Sequence, residues 1–69
     1  MKRKDIEAHV LWTVEEWQGV IDIPTLIGTM KEHTKTTEHE IRLAMEELVD
    51  KGKLHIDKWM HLRLRRNER

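Results

Sequence analysis

The stretch Thr37-Glu38-His39-Glu40-Ile41-Arg42-Leu43-Ala44-Met45-Glu46-Glu47-Leu48-Val49-Asp50-Lys51-Gly52-Lys53-Leu54-His55-Ile56-Asp57 holds two different periods back to back. It opens with Thr and Glu three positions apart. In that pattern the Thr37 hydroxyl takes the Glu40 amide while the Glu40 carboxylate takes the Thr37 amide, which starts a helix. Ile41, Ala44, Met45 and Leu48, with Val49 beside them, recur at the spacing of one helical face, and Lys51-Gly52 supplies a basic last turn and a glycine stop. Past Gly52 the period drops to two: Leu54 and Ile56 alternate with His55 and Asp57, then Met60, Leu62 and Leu64 alternate with His61, Arg63 and Arg65. A helix over 38–51 therefore runs into a β-hairpin over 53–65 with its tip at Asp57, Lys58 and Trp59. No Asn-Gly or Asp-Gly pair is present there, so the loop is expected to hold three residues or more.

Outward from this stretch, Ile6, Val10, Val14 and Trp17 are spaced four, four and three apart, with Leu11 at the edge, which predicts a first helix over 4–17 closed at Gln18-Gly19. Val20-Ile21-Asp22-Ile23 is β-branched and too short for a helix, so it reads as a short strand or an extended connector. Pro24 suits a first helical turn, where its missing N–H is not needed, and Leu26, Ile27 and Met30 line one side of a second helix over 24–33. Gly28 inside it costs about 1 kcal/mol relative to Ala and suits close approach of another helix. Lys35-Thr36 reads as a short turn and 66–69 as a frayed tail.

A chain of 69 residues, 38% hydrophobic and 38% charged, has room for one domain with a modest core, 1–69. With no Cys it has neither a disulfide nor a thiolate metal ligand to reinforce that core, so dense packing or oligomerisation must help. The longest apolar runs are three residues, far short of the roughly 18 to 20 that cross a bilayer, and the basic start precedes no apolar block. A membrane span and a signal peptide are not expected, and the absence of Cys fits a cytoplasmic protein. Ser and Tyr are absent too, and so short a chain scarcely encloses the roughly 300 Å³ of a substrate pocket. The sequence reads as a binding module without a cofactor, not as an enzyme.

Charge is the informative quantity. The formal net charge is zero, yet residues 1–50 hold six Lys/Arg against eleven Asp/Glu, while residues 51–69 hold seven against two. A basic segment thus rides on an acidic body, and a local basic face steers polyanions more than the total charge does.

The order helix, short strand, helix, turn, helix, hairpin resembles the winged helix-turn-helix family over Lys4 to Arg65. The residues that carry the resemblance are Ile23-Pro24-Thr25-Leu26-Ile27, then Thr37 with Glu40-Ile41-Arg42-Leu43-Ala44, and Leu48-Val49-Asp50-Lys51-Gly52-Lys53-Leu54. The resemblance implies an α+β, mostly helical fold: three helices, a short first strand and a C-terminal two-stranded wing. It also implies that the third helix enters a DNA major groove while the wing lies along backbone or minor groove.

The residues themselves divide on that point. The outer face of the third helix carries His39, Arg42, Leu43, Glu46, Glu47 and Asp50, and its carboxylates oppose DNA unless contact is confined to the first turn, where Lys35, Thr36, Glu38, His39 and Arg42 cluster. Arg42 suits a bidentate contact with guanine, or equally an ordinary ion pair with Glu38 or Glu46. The hairpin presents His55, Arg63 and Arg65 outward, with Lys53 at its base and Lys58 at its tip, a row fit for phosphates or for blunting a sheet edge against aggregation. Trp59 matches neither core by pattern; it either folds back over the hairpin, wedges or stacks on bases, or enters a protein partner.

Trp12 lies opposite the apolar stripe of the first helix, beside Ala8 and Glu15, and suggests an interface, with a homodimer through that helix or a fold-over of the tail as the two readings. Five histidines (His9, His33, His39, His55, His61) form no H-x3-H pair, so no metal site is expected. The favoured expectation is a small cytoplasmic transcriptional regulator bound to double-stranded DNA. The alternative is an adaptor or inhibitor that binds a protein partner through Leu43, Glu46 and the acidic helix, with Ala8, Trp12 and Trp59.

Overall fold

A computed structural model of the chain describes residues 2–65. The elements run α1 (Arg3–Glu16), β1 (Val20–Asp22), α2 (Ile23–His33), α3 (Glu38–Asp50), β2 (Leu54–Ile56) and β3 (His61–Leu64). The fold is α+β and mostly helical, three helices with one three-stranded antiparallel sheet ordered β1-β3-β2. The expected tail at 66–69 lies outside the described residues.

Each boundary has a local cause. Asp22 caps α2, accepting from the Thr25 amide at 3.2 Å and the Thr25 hydroxyl at 2.8 Å, with Pro24 in the first turn. The capping box of α3 is complete: the Glu40 amide donates to the Thr37 hydroxyl at 3.2 Å, and the Thr37 amide to the Glu40 carboxylate at 2.9 Å. At its other end, the Lys53 amide donates to the Leu48 carbonyl at 2.9 Å and the Gly52 amide to the Val49 carbonyl at 3.0 Å, with Gly52 at φ 78°. This paired closure needs the left-handed region at one residue, and glycine enters it without a Cβ clash.

The same closure ends α1, but with a different residue in the strained place. The Gly19 amide donates to the Val14 carbonyl and the Gln18 amide to the Glu15 carbonyl, both at 2.9 Å, so the left-handed residue of the motif is Gln18 at φ 63°, with Gly19 following at φ 92°. The helix accordingly stops at Glu16, one residue earlier than its apolar stripe suggests. Trp17 is its C-cap and is 47% exposed, not part of the core. Lys51 likewise lies just past α3 as its C-cap and reaches back to α1, pairing with the buried Glu7 carboxylate at 3.0 Å.

The core is made by Ile6, Val10 and Val14 of α1, Leu26, Ile27 and Met30 of α2, and Ile41, Ala44, Met45 and Leu48 of α3, closing on Ile21, Leu54 and Leu62 of the sheet. Register explains the sheet's share: Ile21, Leu62 and Ile56 form one row across the three strands and point inward. Val20, which reads equally well as connector, pairs with Arg63, so the segment is a true strand. Two further expectations fail. Met60 is 58% exposed at φ 63°, because β3 begins only at His61 and Met60 belongs to the turn. Gly28 admits no neighbour: a Cβ there meets nothing within 4 Å, so the residue is a weak point in a helix and not a crossing site.

Candidate nucleic-acid interface

The hairpin gathers cations by strand geometry. His55 stands opposite Arg63 across β2 and β3, and one step along the ladder the Arg65 amide donates to the Lys53 carbonyl at 3.1 Å. Alternation then puts Lys53, His55, Arg63 and Arg65 in two rows on the side of the sheet turned from Leu54 and Leu62, and all four are exposed. Lys53 also borders a shallow depression where Lys4 and Lys51 surround Glu7.

These cations are not equivalent. The Arg63 Nε donates to Asp57 Oδ2 at 3.0 Å, so its charge is matched within the hairpin. No ion pair engages Lys53, Lys58 or Arg65 among the described residues. Asp57 is the residue that the sequence pattern assigned only a place at the tip. Its other oxygen, Oδ1, accepts from the Trp59 amide at 2.9 Å and the His61 amide at 3.0 Å. An Asp whose side chain bonds the backbone two residues on is a familiar turn device, and that is the signal by which its role is legible. The His61 amide, then Arg63 and the Trp59 amide, hold the Asp57 carboxyl below its ordinary value. The Asp22 carboxyl is likewise lowered, chiefly by the Thr25 hydroxyl.

At the tip Trp59 is 66% exposed, which excludes folding back over the hairpin; its visible partner is the Lys58 ammonium, 4.8 Å from the ring centroid. The first turn of α3 is less open than its composition suggests. Arg42 is bound to Glu38, Nε to Oε2 at 2.9 Å, the i,i+4 ion pair that was the alternative to a base contact. Thr36, expected among the contacting residues, is 6% exposed, and its hydroxyl lies 2.6 Å from that of Thr34, which itself donates to the Met30 carbonyl. Thr36 therefore fixes the turn between α2 and α3 and is withdrawn from any ligand. Lys35, Glu38 and His39 are exposed.

The residues read as a protein interface separate into two places. Ala8, His9 and Trp12 line an open apolar depression on α1, with the His9 and Trp12 rings edge to face at 6.3 Å. Leu43 is half-buried in the seam between α1 and α3, where it lines a shallow depression with Arg3, Ile6 and Glu40, while Glu46 is exposed on α3. No group of three or more metal-ligating side chains gathers among the described residues, and no helix among them is long and apolar enough to cross a membrane. Comparison with protein families, with curated proteins and with solved structures finds no match for this chain.

Proposed function

We propose that this chain is a winged-helix DNA-binding protein, a small cytoplasmic transcriptional regulator whose hairpin is the wing and grips duplex phosphates. The observation that carries the reading is the array of Lys53, His55, Arg63 and Arg65 on adjacent strands, extended by Lys58 at the tip. Phosphate neutralisation needs only such a row of cations at strand spacing, without an enclosed pocket. Two helices joined by the four residues 34–37 precede the hairpin, consistent with α3 lying against a groove as the recognition helix. In this reading α3 contributes through Lys35, Glu38, His39 and Arg42, and Arg42 must leave Glu38 before it reaches a base. Most of the affinity then comes from the wing.

A second reading has its own support. Glu46 and Asp50 are exposed on α3, and Arg42, the cation nearest them on that face, is already neutralised by Glu38. An acidic α3 with the Trp12 depression suits an adaptor bound to a basic protein partner. Fluorescence anisotropy of a labelled duplex of about 25 base pairs separates the two. The DNA-binding protein saturates at about 50 mM salt and is released as salt rises, whereas the adaptor leaves the anisotropy unchanged at every salt concentration.

A further inference from the structure

The hairpin tip is over-determined for a simple connection. Asp57 accepts from the Trp59 and His61 amides and from Arg63, the Asp57 amide donates to the His61 carbonyl at 3.0 Å, and the Met60 amide donates to the Asp57 carbonyl at 3.0 Å. This lattice holds Met60 at φ 63°, a region that a side chain with a Cβ rarely enters and that glycine or asparagine ordinarily fills in a turn. What the strained turn achieves is presentation. Trp59 and Met60, 66% and 58% exposed, stand side by side at the end of the hairpin, next to the cations of the sheet. Two large apolar side chains held out by a bonded turn beside a row of cations are not among the buried residues of the core.

We propose that the tip is a wedge: the Trp59 indole, with Met60 beside it, inserts between stacked base pairs of the DNA held by the adjoining cations, and bends it. The inference rests on the DNA-binding reading above. Apolar side chains driven between base steps partially unstack them and kink the duplex, and the loss of stacking is offset by the wider contact that bent DNA makes with protein. The Lys58 ammonium lies over the Trp59 ring in the free protein and swings off that face to the phosphates of the opened step when a base stacks there. An anionic lipid surface offers the same combination of charge and greasy depth, but entry into acyl chains would take the Asp57 carboxylate and the Lys58 ammonium along with only two apolar side chains. A flat indole is about as thick as a stacked base, so one opened base step accommodates it. Flexible pyrimidine–purine steps should be the favoured sites, because they unstack most readily.

The test uses the full chain with Trp12→Phe and Trp17→Phe, so that Trp59 is the sole indole, and a duplex of about 25 base pairs carrying a donor and an acceptor at its ends and a central TA step. Binding should quench Trp59 emission and raise end-to-end energy transfer. Trp59→Ala should abolish the transfer change and weaken binding by about fivefold or more, with the salt slope unaltered, and Trp59→Phe should restore most of both. Met60→Gly relieves the strained φ, so it should raise the unfolding midpoint while reducing the bend; if it leaves the bend intact, Met60 has no part in the wedge. Salt-dependent binding without quenching or bending would overturn the wedge and leave the phosphate grip standing. No binding to any duplex would overturn both. A blue-shifted Trp59 emission on vesicles of phosphatidylglycerol and phosphatidylcholine, with none of the DNA effects, would overturn the wedge in favour of a lipid surface.

Discussion

If the hairpin grips phosphates, the salt dependence of binding should count its unmatched cations and not its basic residues. Each phosphate neutralised contributes about 0.9 to the slope of log K against log salt. Lys53, Lys58 and Arg65 are unpaired among the described residues, whereas Arg63 is held by Asp57 at 3.0 Å and the pair together carries no net charge. The expected slope is therefore about −2.7, so that affinity falls about 40-fold between 50 and 200 mM salt. Arg65→Gln should lower the slope to about −1.8 and the fall to about 12-fold, while an Arg63→Gln/Asp57→Asn double variant, which removes both charges of the pair, should leave both nearly unchanged. Asp57→Asn supplies the converse. Its side-chain oxygen still accepts from the Trp59 and His61 amides, but the guanidinium is released, and the slope should steepen to about −3.6. Anisotropy titrations at four salt concentrations measure all four slopes. Equal losses from the Arg63→Gln/Asp57→Asn double variant and from Arg65→Gln, or an Asp57→Asn variant no steeper than the parent, would refute the assignment of the Asp57 pair as silent.

The fold makes its own predictions. Leu48 is 1% exposed at the centre of the core, so Leu48→Ala should cost about 2 to 5 kcal/mol in chemical denaturation; a variant as stable as the parent would mean that the inner face of α3 is wrong. Gly28 faces open space in a helix interior, and Gly28→Ala should therefore stabilise by about 1 kcal/mol in the same assay. The Asp22 and Asp57 carboxyls are both held below the ordinary 3.8, so what they add to stability is present above that value and is lost as pH falls through their lowered values. Thermal melting between pH 5 and pH 2 should show the loss, and an Asp22→Asn/Asp57→Asn double variant should show a flatter profile.

Helix faces and stops were legible where one physical cause acts alone. The capping box and Gly52 mark both ends of α3 because each satisfies backbone groups locally, and the inward row Leu54, Ile56, Leu62 follows from strand alternation. The sequence misleads where two causes compete. Trp17 continues the apolar stripe of α1 by spacing, but the paired closure at Gln18 and Gly19 ends the helix first and turns its indole outward. Met60 continues the alternation of β3, yet Asp57 claims the backbone on either side of it and makes it a turn residue. In the candidate site, the clustering of Lys53, His55, Arg63 and Arg65 was readable from period two alone. That Arg63 and Arg42 already have carboxylate partners was not, since a period places a side chain on a face without saying which neighbour it meets.

The two ion pairs also bear on why the chain divides its charge so sharply. Glu38 holds Arg42 on α3 at 2.9 Å with both side chains about half exposed, and Asp57 holds Arg63 on the hairpin at 3.0 Å, where the arginine is exposed but the carboxylate is largely covered. An exposed pair such as Arg42–Glu38 adds little to stability, and under the proposed DNA-binding reading the consequence of both pairs is electrostatic: each masks one cation on a surface assigned to DNA. On α3, a guanine that displaces the Glu38 carboxylate gains a guanidinium already aimed outward, while a surface that cannot displace it meets a weaker field. Masking of this sort penalises loose, non-specific docking more than it penalises a close fit, because only a close fit brings an acceptor near enough to compete. Under the proposed DNA-binding reading, the unmasked cations Lys53, Lys58 and Arg65 set how long the protein dwells on any duplex, and Arg42 sets whether it discriminates among sequences. The division predicts that Glu38→Gln raises affinity for random duplexes and lowers the ratio between preferred and random sites. An unchanged ratio in competition titrations would remove Arg42 from base recognition and leave the hairpin as the whole of the DNA-binding surface.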